Sequence, residues 1–294
     1  MKNFNLCLMD SIGDVFYSLP SLSVIKKENP DSPINLFVPW STKTGSYKIL
    51  DKYKGKLFNN YYLFAPNLSK ISSDGHCYLE PDGQTYWLTN YMEDSYRMSL
   101  EKQNLQHHQI FARCLLGRDL TKEEEKFEFE IPQVNLNWAK KLTEGKKKFA
   151  IFNYHSKYDP KNISNELLVN IINYLTEEQG FDTVYMIGDE LAPKFQETEK
   201  VKFLIGEDLY NILALSKLSN LSIALETGIM SVIGWLGTPT ISFRQCITGS
   251  YPLCHPVNSR FICFDKAEGK TLKDIQWKDI KLGLYEFLKI NGII

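Results

Sequence analysis

The first apolar run of the chain, FNLCLM at residues 4–9, is too short for a helix and reads as a strand. After a short polar break, Val15, Phe16, Leu19, Leu22 and Ile25 recur at helical spacing, and Lys26, Lys27 and Pro30 close the segment. INLFVPW at 34–40 predicts a second strand, so the chain opens as a βαβ unit with parallel strands. Residues 41–130 are rich in Tyr, Asn, Ser and Gly and give no strand order, although HHQIFARCLLG near their end predicts a helix.

The charge-rich stretch across residues 121–148 reads as a surface connection. From residue 149 the α/β alternation becomes regular. FAIFNY, TVYMIG, KFLIG, LSIAL, TPTISF and FICF are strands, and NELLVNIINYLTEE, DLYNILALSKL and GIMSVIGWLG are helices. WKDIKLGLYEFLKI predicts a closing helix whose stripe of Trp277, Ile280, Leu284 and Leu288 needs a partner surface.

The length supports two cores better than one. The expectation is α/β throughout: two Rossmann-like doubly wound domains facing a cleft, at 1–140 and 141–276, with the helix at 277–294 crossing back onto the first. Lys+Arg 34 against Asp+Glu 35 gives a formal charge of −1, a balance that does not advertise nucleic acid as a partner. The six cysteines show no C-x-x-C pair and read as buried thiols. Asp10 and Asp14 interrupt the opening run, and Glu226, glycines and Pro239 break the stretch 223–243, so neither a secretory signal nor a membrane span is expected and the chain reads as cytoplasmic.

Ligands of open α/β sheets bind beyond the carboxyl ends of the strands, so the loops after strands are where chemistry is expected. DSIGDV, after the first strand, lacks the G-x-G-x-x-G fingerprint, and EGKT at 268–271 lacks the first glycine of a P-loop. Gly13 permits a close turn there. Asp14 suits either a helix cap or a reactive carboxylate. In LETGIMSVIGWLGTP, at 225–239, Thr227 can cap a helix, Gly228 lets a ligand approach, and the helix start suits a diphosphate. Glu226 can accept ribose hydroxyls, and the alternative is a plain buried helix start. In NYHSKYDPKNIS, at 153–164, Lys161 precedes a helix that Ser164 can cap, and is either a phosphate ligand or a surface lysine.

Together these loops resemble glycosyltransferase family 9, which contains the ADP-heptose:lipopolysaccharide heptosyltransferases. The resemblance lies in Ser11, Gly13, Asp14, Pro20 and Leu22, then Lys161, Ile163 and Ser164, then E-T-G-I-M-S followed by L-G-T-P at 236–239. It covers both ends and most of the second domain. Glu226 stands where the family has Asp, and Ser231 where it usually has His.

The resemblance implies a GT-B-type fold and an inverting transferase. The donor would be a nucleoside-diphosphate sugar, the sugar a heptose or another hexose-like sugar. The acceptor would be a glycan or glycolipid hydroxyl, in lipopolysaccharide core or another surface glycan. Asp14 would be the general base. Lys161, Glu226, Thr227, Gly228 and Ser231 would bind the donor, with Ser11, Gly13, Asp189 and Glu190 as further donor-loop candidates. Tyr86, Trp87 and Tyr91 could stack on an acceptor sugar or fill a core. No D-x-D triplet or H-E-x-x-H occurs, so neither metal nor cofactor is expected, nor nucleic acid, and any membrane association would be peripheral, at the inner face of the cytoplasmic membrane. A catalytically silent binder of sugar nucleotides or of a partner, or a sugar-nucleotide epimerase of the same layout, is the alternative.

Overall fold

The computed structural model describes residues 4–8, 12–39, 44–64, 84–88, 107–157, 159–188, 192, 197–245, 260–266 and 271–294. The described residues form two compact units, one ending at Phe127 and the other beginning at Glu128.

The described elements of the first unit are β1 (Phe4–Leu8), α1 (Ile12–Glu28), β2 (Ile34–Pro39), α2 (Thr44–Tyr53), β3 (Asn60–Phe64), β4 (Gln84–Leu88) and α3 (His107–Leu116); the opening βαβ and the helix α3 are those the sequence predicts. Its four strands are parallel in the order β3-β2-β1-β4, so the direction of winding reverses between β1 and β4. α1 is apolar nearly all round, and Val15, Phe16, Tyr17, Leu19, Leu22 and Ile25 are all buried, which is why its amphipathic signal is weak. Val24 of α1 packs with Ala112 of α3 and with Leu120.

The segment after α3 is held by side chains. Gln109 accepts from the Leu120 amide at 2.7 Å and donates to its carbonyl at 3.3 Å, and His108 Nε2 lies 2.8 Å from Glu125 Oε1. Burial pushes the His108 imidazole below the ordinary histidine range, against the opposing pull of Glu125. A depressed folded-state value means that folding expels a proton. The resulting stabilisation is complete above about pH 6.5 and is lost as pH falls through that value towards the folded one. His108→Gln should therefore cost about 1–3 kcal/mol at neutral pH. The gap from the parent should narrow on acidification, as read from urea midpoints between neutral and acidic pH. A gap that widens would contradict this placement.

The second unit contains α4 (Gln133–Leu142), β5 (Phe149–Asn153), a 3₁₀ turn (Asp159–Lys161), α5 (Asn165–Asn173) continuing into a π-helical turn (Tyr174–Glu178), β6 (Thr183–Gly188), β7 (Val201–Ile205), α6 (Leu209–Leu218), β8 (Leu221–Leu225), α7 (Gly228–Gly234), β9 (Thr240–Gln245), β10 (Phe261–Lys266), a second 3₁₀ turn (Leu272–Asp274) and α8 (Trp277–Ile290). Six parallel strands run β10-β9-β8-β5-β6-β7, two three-stranded halves wound outward in opposite senses from β5 and β8. This is the dinucleotide-fold order, with its switch point between those two strands. β5 and β8 are buried along their whole length, as strands covered on both faces must be. α5 and α8 share one core with Phe152, Ile223 and Phe243, and α4, α6 and α7 share the other with Phe149 and Ile151.

Two expectations need correction. The closing helix was expected on the first domain, but Ile280, Leu284 and Leu288 lie in the second unit's core with Trp277 packed against it. Tyr174 meets Trp277 edge-on at 5.3 Å, so the apolar stripe finds its partner on α5 and its π-helical extension. The boundary expected near residue 140 falls at Phe127, because α4, read as part of a surface connection, carries Ala139 into the second unit's core with Leu136 and Leu142.

β6 ends on Gly188 for want of space. A Cβ there would meet the Ala192 Cβ at 2.6 Å and Ile205 and Tyr154 at 3.3 Å. Gly188→Ala should destabilise the chain by roughly 1–3 kcal/mol through overpacking. An unchanged urea midpoint would show that Ala192 yields freely.

Candidate functional site

The loops that leave β5 and β8 diverge at the switch point of the second unit, where an open sheet leaves room for a ligand. β5 ends on Asn153, a polar residue 5% exposed at the end of an otherwise apolar strand. Thr227 donates its hydroxyl hydrogen to Asn153 Oδ1 at 2.8 Å, tying the two loops together. Thr227 occupies the N-cap position of α7, but its side chain makes no capping bond. The cap expected from the sequence is corrected: the hydroxyl serves Asn153.

The β5 loop is closed by Asn162, whose side chain accepts from the Ser156 amide at 2.7 Å and donates to the Ser156 carbonyl at 2.9 Å. Within that loop the Asp159–Lys161 turn carries Lys161. Asp159 is bound through both carboxylate oxygens by Lys273 at 2.7 and 2.8 Å, and this ion pair holds the Asp159 carboxyl below the usual carboxylate range. Ser164 caps α5 as predicted, accepting from the Leu167 amide at 3.1 Å.

Lys161 Nζ lies 3.5 Å from Glu226 Oε2, with the two side chains 31% and 17% exposed. The Glu226 amide bonds the Phe243 carbonyl at 3.0 Å and extends the β8–β9 ladder past the end of the strand. Gly228 begins α7, and Ser231 is buried one turn further, its amide 3.4 Å from the Thr227 carbonyl. Five predicted positions, Lys161, Glu226, Thr227, Gly228 and Ser231, thus gather around the carboxyl ends of the central strands β5 and β8 of one sheet. The site presents a cation for phosphate oxygens, a carboxylate for hydroxyls and a glycine-bearing turn that a ligand can approach.

In the first unit, Gly13 and Asp14 are the second and third residues of α1, directly after β1 at that unit's own switch point. Tyr86 and Trp87 lie on β4, paired in register with Leu6 and Cys7. Ser11, Tyr91, Asp189 and Glu190 lie outside the described residues. Among the described residues no three His, Cys, Asp or Glu cluster as metal ligands, and no helix is long and apolar enough to cross a membrane.

Sequence reasoning missed Asn153, Asn162 and the Asp159–Lys273 pair. Asn153 did leave a signal, since a lone polar residue closing a buried strand in a doubly wound domain sits where ligands bind.

No family model matches the sequence, and no curated protein sequence matches it. Solved structures do match. A glycosyltransferase family 9 protein of Veillonella parvula superposes with a TM-score of 0.70 at 13% identity, covering 98% of this chain and 97% of that one. The ADP-heptose lipopolysaccharide heptosyltransferase II of E. coli gives 0.60 at 13% identity, over 99% and 100%. The E. coli heptosyltransferase WaaC with ADP gives 0.58 at 13% identity, over 99% and 100%. The chain therefore has the fold of these proteins, two Rossmann-like α/β units of the GT-B type, as the sequence led us to expect.

Proposed function

We propose that this chain is an inverting glycosyltransferase that moves a heptose or another hexose-like sugar from a nucleoside-diphosphate donor to a hydroxyl of a glycan acceptor, in lipopolysaccharide core or another surface glycan. The observation that carries this reading is the meeting of Lys161 with Glu226 at the β5/β8 switch point. The structural neighbours support it: they include a glycosyltransferase family 9 protein, and one E. coli heptosyltransferase structure holds ADP-2-deoxy-2-fluoro heptose. We assign the protein to the cytoplasm, with at most peripheral association at the inner membrane face.

In the proposed reaction an acceptor oxygen attacks the anomeric carbon as the bond from that carbon to the diphosphate oxygen breaks. Asp14 takes the acceptor's proton, and the electron pair leaves on the diphosphate. Lys161 and the backbone amides of the β8–α7 turn stabilise that charge, the task a metal ion performs in other transferases. Glu226 accepts the ribose hydroxyls, its longer side chain replacing the family's Asp. Ser231 in place of His alters the neighbourhood of the sugar, so the donor need not be ADP-heptose.

The test is turnover of a panel of nucleotide sugars with and without a glycan acceptor, in buffer containing EDTA. The expected result is acceptor-dependent release of a nucleoside diphosphate and a product of inverted anomeric configuration. Retained configuration, or activity abolished by EDTA, would contradict the mechanism. Donor binding without release would favour a silent binder, and a changed sugar without acceptor would favour an epimerase.

A further inference from the structure

Arg244 is charged and 9% exposed, a combination that folded proteins keep only where the charge is compensated. It lies near the carboxyl end of β9. Alternation along the strand places it on the sheet face opposite Phe243, the side covered by α6 and α7. Two acidic residues neighbour it in register. Asp265 is its paired position on β10. Glu226 follows the Leu225–Phe243 pair by one residue, with its amide still bonded to β9. Arg244 is buried, whereas the paired Glu226 and Lys161 side chains are 17% and 31% exposed.

We propose that Arg244 is a positioning residue of the donor site: its guanidinium holds the Glu226 carboxylate from the interior side while Lys161 holds it from the outer side. A diphosphate can then draw Lys161 away without leaving Glu226 as an uncompensated, largely buried charge, the state that costs most. Guanidinium donors point in more than one direction, so Arg244 can hold Glu226 and keep donors for other acceptors. Arg244 itself is too deeply buried to be the first group a ligand meets, so its effect passes through Glu226. The pairing belongs to the empty protein, and only the identity of the ligand rests on the donor-site reading.

The experiment has two arms on the full chain, with folding of each variant checked by circular dichroism and thermal unfolding. In the ligand-free arm, acetylation of Lys161 by an amine-reactive ester is followed by peptide mass spectrometry. Arg244→Gln should slow it severalfold, because Glu226 then holds Lys161 more tightly. Glu226→Gln should speed it, and Arg244→Lys, which keeps the charge, should stay near the parent rate. In the second arm, inorganic pyrophosphate is titrated by calorimetry. Arg244→Gln should weaken binding about tenfold or more, the scale of one charge-assisted contact. Arg244→Gln with Glu226→Gln should return to the level of Glu226→Gln alone. A folded Arg244→Gln protein that acetylates Lys161 at the parent rate would overturn the proposal, as would a double variant no tighter than Arg244→Gln. If the parent fails to bind pyrophosphate while the acetylation order holds, the donor-site reading falls and the Arg244 pairing stands.

Discussion

Asp14→Asn should lower the rate of sugar transfer at saturating donor by at least about a hundredfold, the lower end of what loss of a general base costs. Donor affinity should stay close to that of the parent. Asp14 is the third residue of α1, where a carboxylate also interacts with the helix dipole. That interaction is worth about 0.3–1 kcal/mol at an exposed helix start and up to about 2 kcal/mol at a partly buried one. Asparagine keeps the size of the side chain and much of its capacity to accept amide hydrogens, so a purely structural Asp14 predicts a folded, nearly fully active variant. Asparagine cannot take a proton at neutral pH, so a catalytic Asp14 predicts a rate loss without a binding loss. Rate and affinity measured on the same preparation separate the two. Near-normal turnover would return Asp14 to the role of a helix-start residue.

Lys161→Ala should reduce transfer by about 10²–10³, the usual cost of removing one donor aimed at developing negative charge. Here affinity should fall as well, because a diphosphate is anionic before and after the bond breaks. Stability should change little. The Lys161–Glu226 pair is partly exposed and 3.5 Å long, and such pairs contribute about 0–1 kcal/mol. The Asp159–Lys161 turn keeps its shape through Asn162 and through Lys273, neither of which needs the Lys161 side chain. Lys161→Arg should recover part of the affinity, since charge is retained while reach and geometry change. A Lys161→Ala protein with the parent's rate would place the diphosphate elsewhere.

α4 was not legible in its charge-rich stretch, but most elements of the second unit were, because the central strands β5 and β8 are buried along their whole length and read as continuous apolar runs, while α5 and α8 show apolar stripes. Their arrangement was less so. β5 and β8 are neighbours in the sheet although β6, β7 and α6 lie between them in sequence, and that pairing brings Lys161 to Glu226. Local periodicity carries no information about which strands pair, so the sequence marked two loops as candidates without showing that they meet. The hydroxyl of Thr227 was misread for a similar reason. A Thr before a glycine at a helix start suits a cap, but Asn153, distant in sequence, offers a buried acceptor that the cap position cannot match. The stripe on α8 correctly demanded a partner, but an apolar face does not name its mate. Tyr174 and the second unit's core supply it.

Hydrogen–deuterium exchange of the full chain, with and without a nucleoside diphosphate at saturating concentration, tests the placement of the donor site most directly. Bound ligand slows exchange where it orders backbone. Peptides covering residues 154–164 and 226–231 should gain protection, and Lys161→Ala should abolish that gain at the same ligand concentration. Protection confined to other segments, or unchanged by Lys161→Ala, would contradict a donor site at the β5/β8 switch point.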